Sequence, residues 1–178
     1  MNLHELFDLT SHNGDVYVGQ GLEYPWGGLY GGHIVAQALR AAAFTIEDGM
    51  LPHSVRAYFI RRGKNTQPVR YEVDRIRDGK SFSTRRVVAR QDDGAILNLE
   101  ASFQKFEHSS DISNIVHQHD IMQPDEIEET SWSTFFNRRT LPQSALTGMN
   151  REGAGRTAAW FRVKDSLVDD ELLNRCAL

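Results

Sequence analysis

The sequence predicts an α+β fold in which one face of an antiparallel sheet packs against a buried helix. Three observations lead to this prediction. A helical pattern rich in small apolar residues, HIVAQALRAAAF, follows a glycine-rich segment. Four strand patterns come after the helix, and Asp-Gly pairs that favour tight hairpins precede the third and the fourth. Because short hairpins join antiparallel neighbours, one face of the sheet is available to cover the helix.

The helix is predicted over residues 33–44 from the spacing of its apolar side chains. Its small residues allow a sheet to approach the helix axis closely. Three polar residues, His33, Gln37 and Arg40, lie off the apolar stripe. The stripe itself consists of Ile34, Val35, Ala38, Leu39 and Ala42.

The strands are predicted from alternation of apolar and polar residues. A short helix over 4–9 and a strand over 15–20 precede the glycine-rich segment. One face of the last strand is predicted to be apolar throughout, with Ala95, Leu97, Leu99, Ala101 and Phe103. The strand patterns after the helix cover 53–61, 69–77, 82–91 and 95–106.

The chain is predicted to divide into three parts. Residues 1–106 form one domain, and residues 107–157 form an acidic, polar linker. Between Glu107 and Thr130 there are seven acidic residues and no lysine or arginine. Residues 158–178 begin with a strand pattern, AAWFRV, and continue into the start of a helix with Asp169 and Asp170 in its first turn.

Composition excludes several classes of protein. The net charge of −4 argues against a general nucleic-acid binder. A single cysteine excludes an intramolecular disulfide framework. No apolar run approaches the ~18 residues of a membrane span, and the N-terminus lacks the features of a secretory signal. We therefore expect a cytoplasmic protein, and neither a metal site nor a cofactor is predicted.

Three segments carry a resemblance to a known family: GGLYGGHIVAQAL, LPHSVRAYFIRRG and RIRDGKSFSTRRVVARQDDGAILNLEASFQ. They are similar to type II acyl-CoA thioesterases, double hot-dog enzymes that hydrolyse fatty acyl-CoA. The resemblance runs over residues 3–106 and, weakly, over 158–178, about two-thirds of the chain. It implies a hot-dog fold for residues 1–106 and makes residues 158–178 the start of a truncated second hot-dog. It also implies a catalytic Asp, Thr and Gln in the second repeat, beyond Leu178.

Two glycines and two histidines are the candidates for thioester chemistry. At the start of the helix, Gly31 and Gly32 would leave backbone N–H groups for a developing oxyanion, or else serve close packing of helix and sheet. His33, where the family more often carries Gln, could act as a general base; the alternative is a polar side chain facing solvent or a partner. His53 could be a base or an orienting residue near the thioester, or a structural histidine bonded to backbone.

Basic residues and one phenylalanine are the candidates for substrate binding. Between His53 and Arg90 the basic residues exceed the acidic ones by eight. CoA carries several phosphates, so this surface suits it; the alternative is an ordinary solvated sheet face. Phe82 could line an acyl channel or belong to the core. The residues selected for CoA are Arg61, Arg62, Lys80 and Arg85.

The leading hypothesis is hydrolysis of fatty acyl-CoA by direct attack of water, since no nucleophile-elbow motif is present. A non-catalytic hot-dog half that binds acyl-CoA or dimerises is the alternative. A hydratase is less favoured, because Asp48 and His53 have its five-residue spacing but follow the helix instead of preceding it. An open sheet edge predicts a homo-oligomer or pairing with a second hot-dog.

Overall fold

The structure is a computed structural model that describes residues 2–110, 112–114, 121–149, 157–164 and 170–178. It divides into two compact units. The first comprises Met1–His108 and Leu167–Leu178, and the second comprises Ser109–Ser166. Among the described residues, no helix has the length and apolar character needed to cross a bilayer.

The first unit is a six-stranded antiparallel sheet with a helix across one face. The strands lie in the order β1-β2-β4-β5-β6-β3, and helix α2 packs against β5 and β6. This arrangement confirms the predicted α+β fold. The elements are α1 (Leu3–Leu6), β1 (Thr10–His12), β2 (Val16–Gly19), α2 (Gly31–Ala43), β3 (Met50–Phe59), β4 (Val69–Asp78), β5 (Phe82–Gln91), β6 (Gly94–Lys105) and, at the end of the chain, α3 (Glu171–Ala177).

The core lies between α2 and the inner face of the sheet. The predicted apolar face of β6 is buried from Leu97 to Phe103, and in α2 Ala38, Ala41 and Ala42 are fully enclosed. These small residues bring the helix backbone close to the strands. Burial of this apolar surface is the main force holding the helix on the sheet.

The N-terminal segment covers a second side of α2. It starts with α1, which Asn2 and Glu5 cap reciprocally, and continues into β1, a strand that was not predicted and that pairs with β2. Leu3, Leu6 and Phe7 are buried by this packing. Helix α2 is therefore covered on two sides, and its apolar stripe is wider than the periodicity indicated.

Helix α3 closes the first unit at the far end of α2. Asp170 is its N-cap and accepts a hydrogen bond from the Leu173 amide at 2.9 Å, while Asp169 lies outside the described residues. Arg175 donates to the Pro52 carbonyl oxygen at 2.8 Å, and Arg40 lies 3.9 Å from Asp170. The last helix thus belongs with residues 1–108, although it was predicted to form one segment with the strand before it.

The second unit contains an antiparallel pair of strands. β7 (Phe136–Thr140) lies within the predicted linker, and β8 (Ala159–Val163) is the predicted strand AAWFRV. Ile127, Leu141 and Leu146 form a small buried cluster beside the pair. The predicted boundary at residue 157 therefore falls between two strands that pair with each other. That residues 158–178 open a second hot-dog stays a prediction.

Candidate active site

The N-terminus of α2 has no side-chain cap. Tyr30 is the N-cap, with extended backbone, and its side chain makes no capping hydrogen bond. The first backbone bond of the helix runs from the Ile34 N–H to the Tyr30 carbonyl oxygen at 3.3 Å. The amides of Gly31, Gly32 and His33 precede that bond, so they point out of the helix with the positive end of its dipole.

Both glycines at this helix end also permit close packing. A Cβ atom on Gly31 would lie 3.0 Å from the Phe59 ring, and one on Gly32 would lie 2.6 Å from the Tyr30 ring. The aromatic rings therefore sit against the first turn where larger residues would keep them away. Close packing, one of the two roles expected of the glycines, is therefore present at both positions.

His33 is enclosed and does not face solvent, which was part of one of the two alternatives predicted for it. Only 4% of it is exposed, and its Nδ1 lies 3.1 Å from the Tyr24 hydroxyl. Burial lowers the pKa of His33 to about 4 and raises that of Tyr24 to about 12. A neutral imidazole thus meets a protonated phenol at neutral pH, and the pair ties the glycine-rich loop to the helix.

Gln37 and Tyr71 extend this buried polar layer. The Gln37 amide donates to the Leu6 carbonyl oxygen at 2.7 Å and to the Gln20 carbonyl oxygen at 3.3 Å. Its Oε1 accepts a hydrogen bond from the Tyr71 hydroxyl at 2.7 Å. Gln37 was not among the residues predicted for the site. The four-residue spacing from His33, which puts both side chains on one helix face, was the available signal.

His53 lies at the opposite end of the sheet from these groups. It is exposed on β3, its Nε2 lies 2.9 Å from the Ser102 hydroxyl, and the Phe82 ring packs edge-on at 5.9 Å. Phe59, which contacts Gly31, is six residues further along the same strand, roughly 20 Å away at the rise of a β-strand. The first unit alone therefore does not bring His53 to the helix N-terminus.

The predicted basic residues also divide between the two ends. Arg61 and Arg62 are both exposed, but they contact different segments. Arg62 donates to the Trp26 carbonyl oxygen in the glycine-rich loop, whereas Arg61 donates to the Ala95 carbonyl oxygen at the start of β6, at 2.7 Å. Lys80 is exposed in the turn that precedes Phe82, at the His53 end.

Arg85 is a structural residue, so its predicted contact with CoA is wrong. None of its side chain is exposed, and all five N–H donors are bound. Nε donates to the Thr45 hydroxyl at 2.6 Å, and the terminal nitrogens donate to the carbonyl oxygens of Thr45, Arg77 and Thr84 and to the Asp78 carboxylate. No donor remains for a phosphate. The residue instead joins strand β5 to the end of α2.

Fold and site together define a class of protein. A helix laid across one face of an antiparallel sheet, with its N-terminus open beside a glycine-rich loop, is the hot-dog arrangement. A hot-dog protein of known structure from Alicyclobacillus acidocaldarius matches with a TM-score of 0.75 at 21% identity, covering 91% of this chain and 62% of its own. Among the residues that the structure describes, no group of three His, Cys, Asp or Glu side chains could hold a metal ion.

Comparison with known proteins shows that the chain is similar to type II acyl-CoA thioesterases. A family model described as the acyl-CoA thioesterase N-terminal domain matches residues 22–104. The rat protein "Acyl-coenzyme A thioesterase 8" is 35% identical over 152 residues, which cover 83% of this chain and 45% of that protein. The structure of acyl-CoA thioesterase II TesB2 from Mycobacterium marinum matches with a TM-score of 0.77 at 30% identity, covering 99% of this chain and 64% of its own. The chain thus spans less than two-thirds of either relative.

Proposed function

We propose that this chain contributes the oxyanion-binding helix to an acyl-CoA thioesterase, which hydrolyses fatty acyl-CoA to a free fatty acid and CoA. The observation that carries the proposal is the uncapped N-terminus of α2 at Gly31 and Gly32, within the region that the family model matches. Negative charge gathers on the carbonyl oxygen when a thioester is attacked. Preorganised backbone N–H groups stabilise that charge in the transition state.

Water is the proposed nucleophile. Its oxygen attacks the thioester carbon and gives up a proton to a base, and the resulting oxyanion accepts hydrogen bonds from the amides at the start of α2. The C–S bond then breaks, and the CoA sulfur leaves and takes up a proton. His33 is enclosed and bonded to Tyr24, so His53, which is exposed, is the histidine better able to receive a proton from water.

A second hot-dog unit would unite the two separated halves of the site. β3 is an outermost strand of its sheet, and it exposes 42% of Val55, 53% of Tyr58 and 61% of Phe59. Pairing of two β3 edges about a two-fold axis would run the strands antiparallel. An axis near Arg56, midway between His53 and Phe59, would set the His53 end of one unit beside Gly31 of the other. Phe82 and Lys80 would accompany His53 into this composite site.

This pairing predicts a homodimer that depends on Val55. We expect light scattering at micromolar concentration to give twice the mass of the chain. Val55→Lys should yield a monomer, because a lysine on an edge strand opposes strand pairing. Ile76→Lys is the matched control, since Ile76 is an exposed apolar residue on β4, away from that edge, and it should leave the dimer intact. A monomeric wild-type chain would contradict the proposed pairing.

The Gly31 amide can be removed without breaking the helix. Gly31 is the first helical residue and Tyr30 before it is extended, with φ −74° and ψ 133°, so a proline fits the backbone there. We expect Gly31→Pro to lower kcat for palmitoyl-CoA by about 10- to 1000-fold, the cost of losing one oxyanion donor. Gly31→Ala adds a Cβ but keeps the N–H, so it controls for crowding against Phe59. Equal kcat values for the two variants would exclude this amide from the oxyanion site.

CoA release from palmitoyl-CoA and from a short acyl-CoA by the purified chain tests the function itself. Turnover would support the proposal and make His53 the first residue to replace. A folded chain that binds palmitoyl-CoA but releases no CoA would favour the non-catalytic alternative. Absence of both binding and turnover would overturn the proposal.

We further propose a role in fatty acid metabolism and a cytoplasmic location. The role in fatty acid metabolism follows from the proposed hydrolysis of fatty acyl-CoA. The single cysteine, Cys176, is buried and unpaired, which suits a reducing compartment. Arg61 and Arg62 are the proposed contacts for CoA phosphates, because both are exposed and Arg62 is bonded to the loop that leads into α2.

A further inference from the structure

The side chain of Gln37 joins three separate segments of the first unit to α2. Its Nε2 donates to the Leu6 carbonyl oxygen at the end of α1 and to the Gln20 carbonyl oxygen just after β2, at 2.7 and 3.3 Å. Its Oε1 accepts a hydrogen bond from the Tyr71 hydroxyl on β4 at 2.7 Å. Gln37 is 1% exposed and Tyr71 is fully buried. Because a backbone carbonyl can only accept, the amide has one orientation in which its nitrogen and its oxygen are both bonded.

Gly19 leaves the space that this amide occupies. A Cβ atom at Gly19 would lie 2.4 Å from Oε1 and 2.9 Å from Nε2 of Gln37. The φ angle of Gly19 is not positive, so the need for glycine is one of space and not of backbone conformation. Gly19 ends β2 and pairs with Val69 of β4, which holds its backbone in the sheet. A methyl group here would therefore displace the amide and not the strand.

The hydrogen bond to Gln20 closes the glycine-rich loop, residues 20–30, on the helix that follows it. The loop leaves β2 at Gln20 and enters α2 at Gly31. Gln37 lies about 9 Å along the helix from Gly31 at the rise of an α-helix. Tyr24, within the loop, is bonded to His33 of the same helix at 3.1 Å. The start and the middle of the loop are thus each fixed to α2, which limits where the loop can place the first helical amides.

We propose that Gln37 is a positioning residue for thioester hydrolysis, which holds the glycine-rich loop so that the amides of Gly31 and Gly32 face the thioester oxygen. This inference rests on the proposed function, in which those amides stabilise the oxyanion. Tyr71 fixes the orientation of the Gln37 amide, and Gly19 gives it room. A misplacement of reacting groups by about 1 Å can lower kcat about 100-fold even when the altered residue is remote.

Two substitutions remove this support in different ways, since Gln37→Ala deletes the amide and Gly19→Ala displaces it. We expect each to lower kcat for palmitoyl-CoA by about 10- to 100-fold. KM should change by less than about threefold, because Gln37 is buried away from the substrate. Gln143→Ala, at an exposed glutamine of the second unit, is the matched control and should change neither constant. Circular dichroism would verify that each variant is folded.

The double variant separates displacement of the amide from general damage to β2. In the Gln37→Ala background the methyl group added by Gly19→Ala finds room, so it should lower kcat by no more than about a further twofold. Two full and independent losses would mean that Gly19 does not act through Gln37 and would overturn the inference. Tyr71→Phe keeps the ring and removes one hydrogen bond, so this milder variant should lose kcat severalfold.

Amide hydrogen exchange tests the loop without any turnover. The Gly27 and Leu29 amides are bonded to the Tyr24 and Gly63 carbonyl oxygens at 2.9 and 3.0 Å, so their exchange reports opening of the loop. We expect Gln37→Ala and Gly19→Ala to speed their exchange about tenfold or more, and Gln143→Ala to leave it unchanged.

The outcomes of exchange and turnover separate this inference from the proposed function. Faster loop exchange in the two variants of a chain that does not hydrolyse palmitoyl-CoA would support the positioning of the loop although the proposed hydrolysis fails. Turnover in the wild type that Gln37→Ala leaves unchanged would overturn the inference and leave the thioesterase standing. Loop exchange that is equally slow in Gln37→Ala and Gln143→Ala would also overturn it, since the loop would then be held by other contacts.

Discussion

Replacing Arg85 with methionine is expected to lower the free energy of unfolding by about 3–5 kcal/mol. The methionine fills a similar volume but donates no hydrogen bond. It would leave the carbonyl oxygens of Thr45, Arg77 and Thr84 without the donor that they share. A buried acceptor that loses its partner costs about 1–3 kcal/mol, and the two contacts with Thr45 are buried while those with Arg77 and Thr84 are partly buried. The Asp78 carboxylate, 58% of whose side chain is exposed, regains water and adds little to the cost.

Two variants sharpen this measurement by urea unfolding. Arg86→Met changes the next residue, which is exposed and pairs with Asp74 at 3.6 Å on the outer face, and it should cost no more than about 0.5 kcal/mol. Arg85→Lys keeps the charge, but one ammonium cannot reach all five acceptors. Its loss of unfolding free energy should therefore lie between those of Arg86→Met and Arg85→Met. If Arg85→Met costs no more than Arg86→Met, the buried guanidinium does not hold β5 to the end of α2.

The burial of Arg85 was not predicted, although the alternation of residues along β5 indicated it. On β5 it alternates with Val87 and Ala89, which are buried on the inner face. The period of two therefore puts residue 85 on that face as well. Arg85 was predicted to be available to CoA because of its charge. The position of Arg85 on β5, and not its charge, determines that the side chain is buried. Its five hydrogen bonds offset the cost of burying the charge.

The secondary structure was largely predictable, because it depends on local periodicity and on turn residues. The arrangement of the site was not. That His53 and Gly31 lie at opposite ends of the first unit follows from β3 pairing with β6 at the sheet edge, which is a long-range choice. The burial of His33 likewise depends on a contact between separate segments, since the Tyr24 hydroxyl of the glycine-rich loop lies against its ring. Only the spacing of His33 and Gln37 hinted at a shared polar face.

The buried His33 predicts a loss of stability in mild acid. Its pKa is lowered to about 4 by burial, against about 6.5 in the unfolded chain. Above pH 6.5 both states hold a neutral imidazole, so the residue adds no dependence on pH. Between pH 6.5 and pH 4 the unfolded chain binds a proton that the folded chain does not, and stability therefore falls as the pH falls. The full effect is about 3 kcal/mol by pH 4.

Urea unfolding of the wild type and of His33→Gln at pH 7, 5.5 and 4.5 measures this effect. The wild type should lose more stability than the variant between pH 7 and 4.5, by about 2–3 kcal/mol, because glutamine does not titrate. Carboxylates such as Asp15, whose pKa the Arg75 guanidinium lowers, titrate in both proteins, so their contribution cancels in the difference. His12→Gln, at an exposed histidine on β1, should follow the wild type. Parallel curves for the wild type and His33→Gln would mean that His33 takes up its proton in the folded state and that the loop carrying Tyr24 opens to admit water.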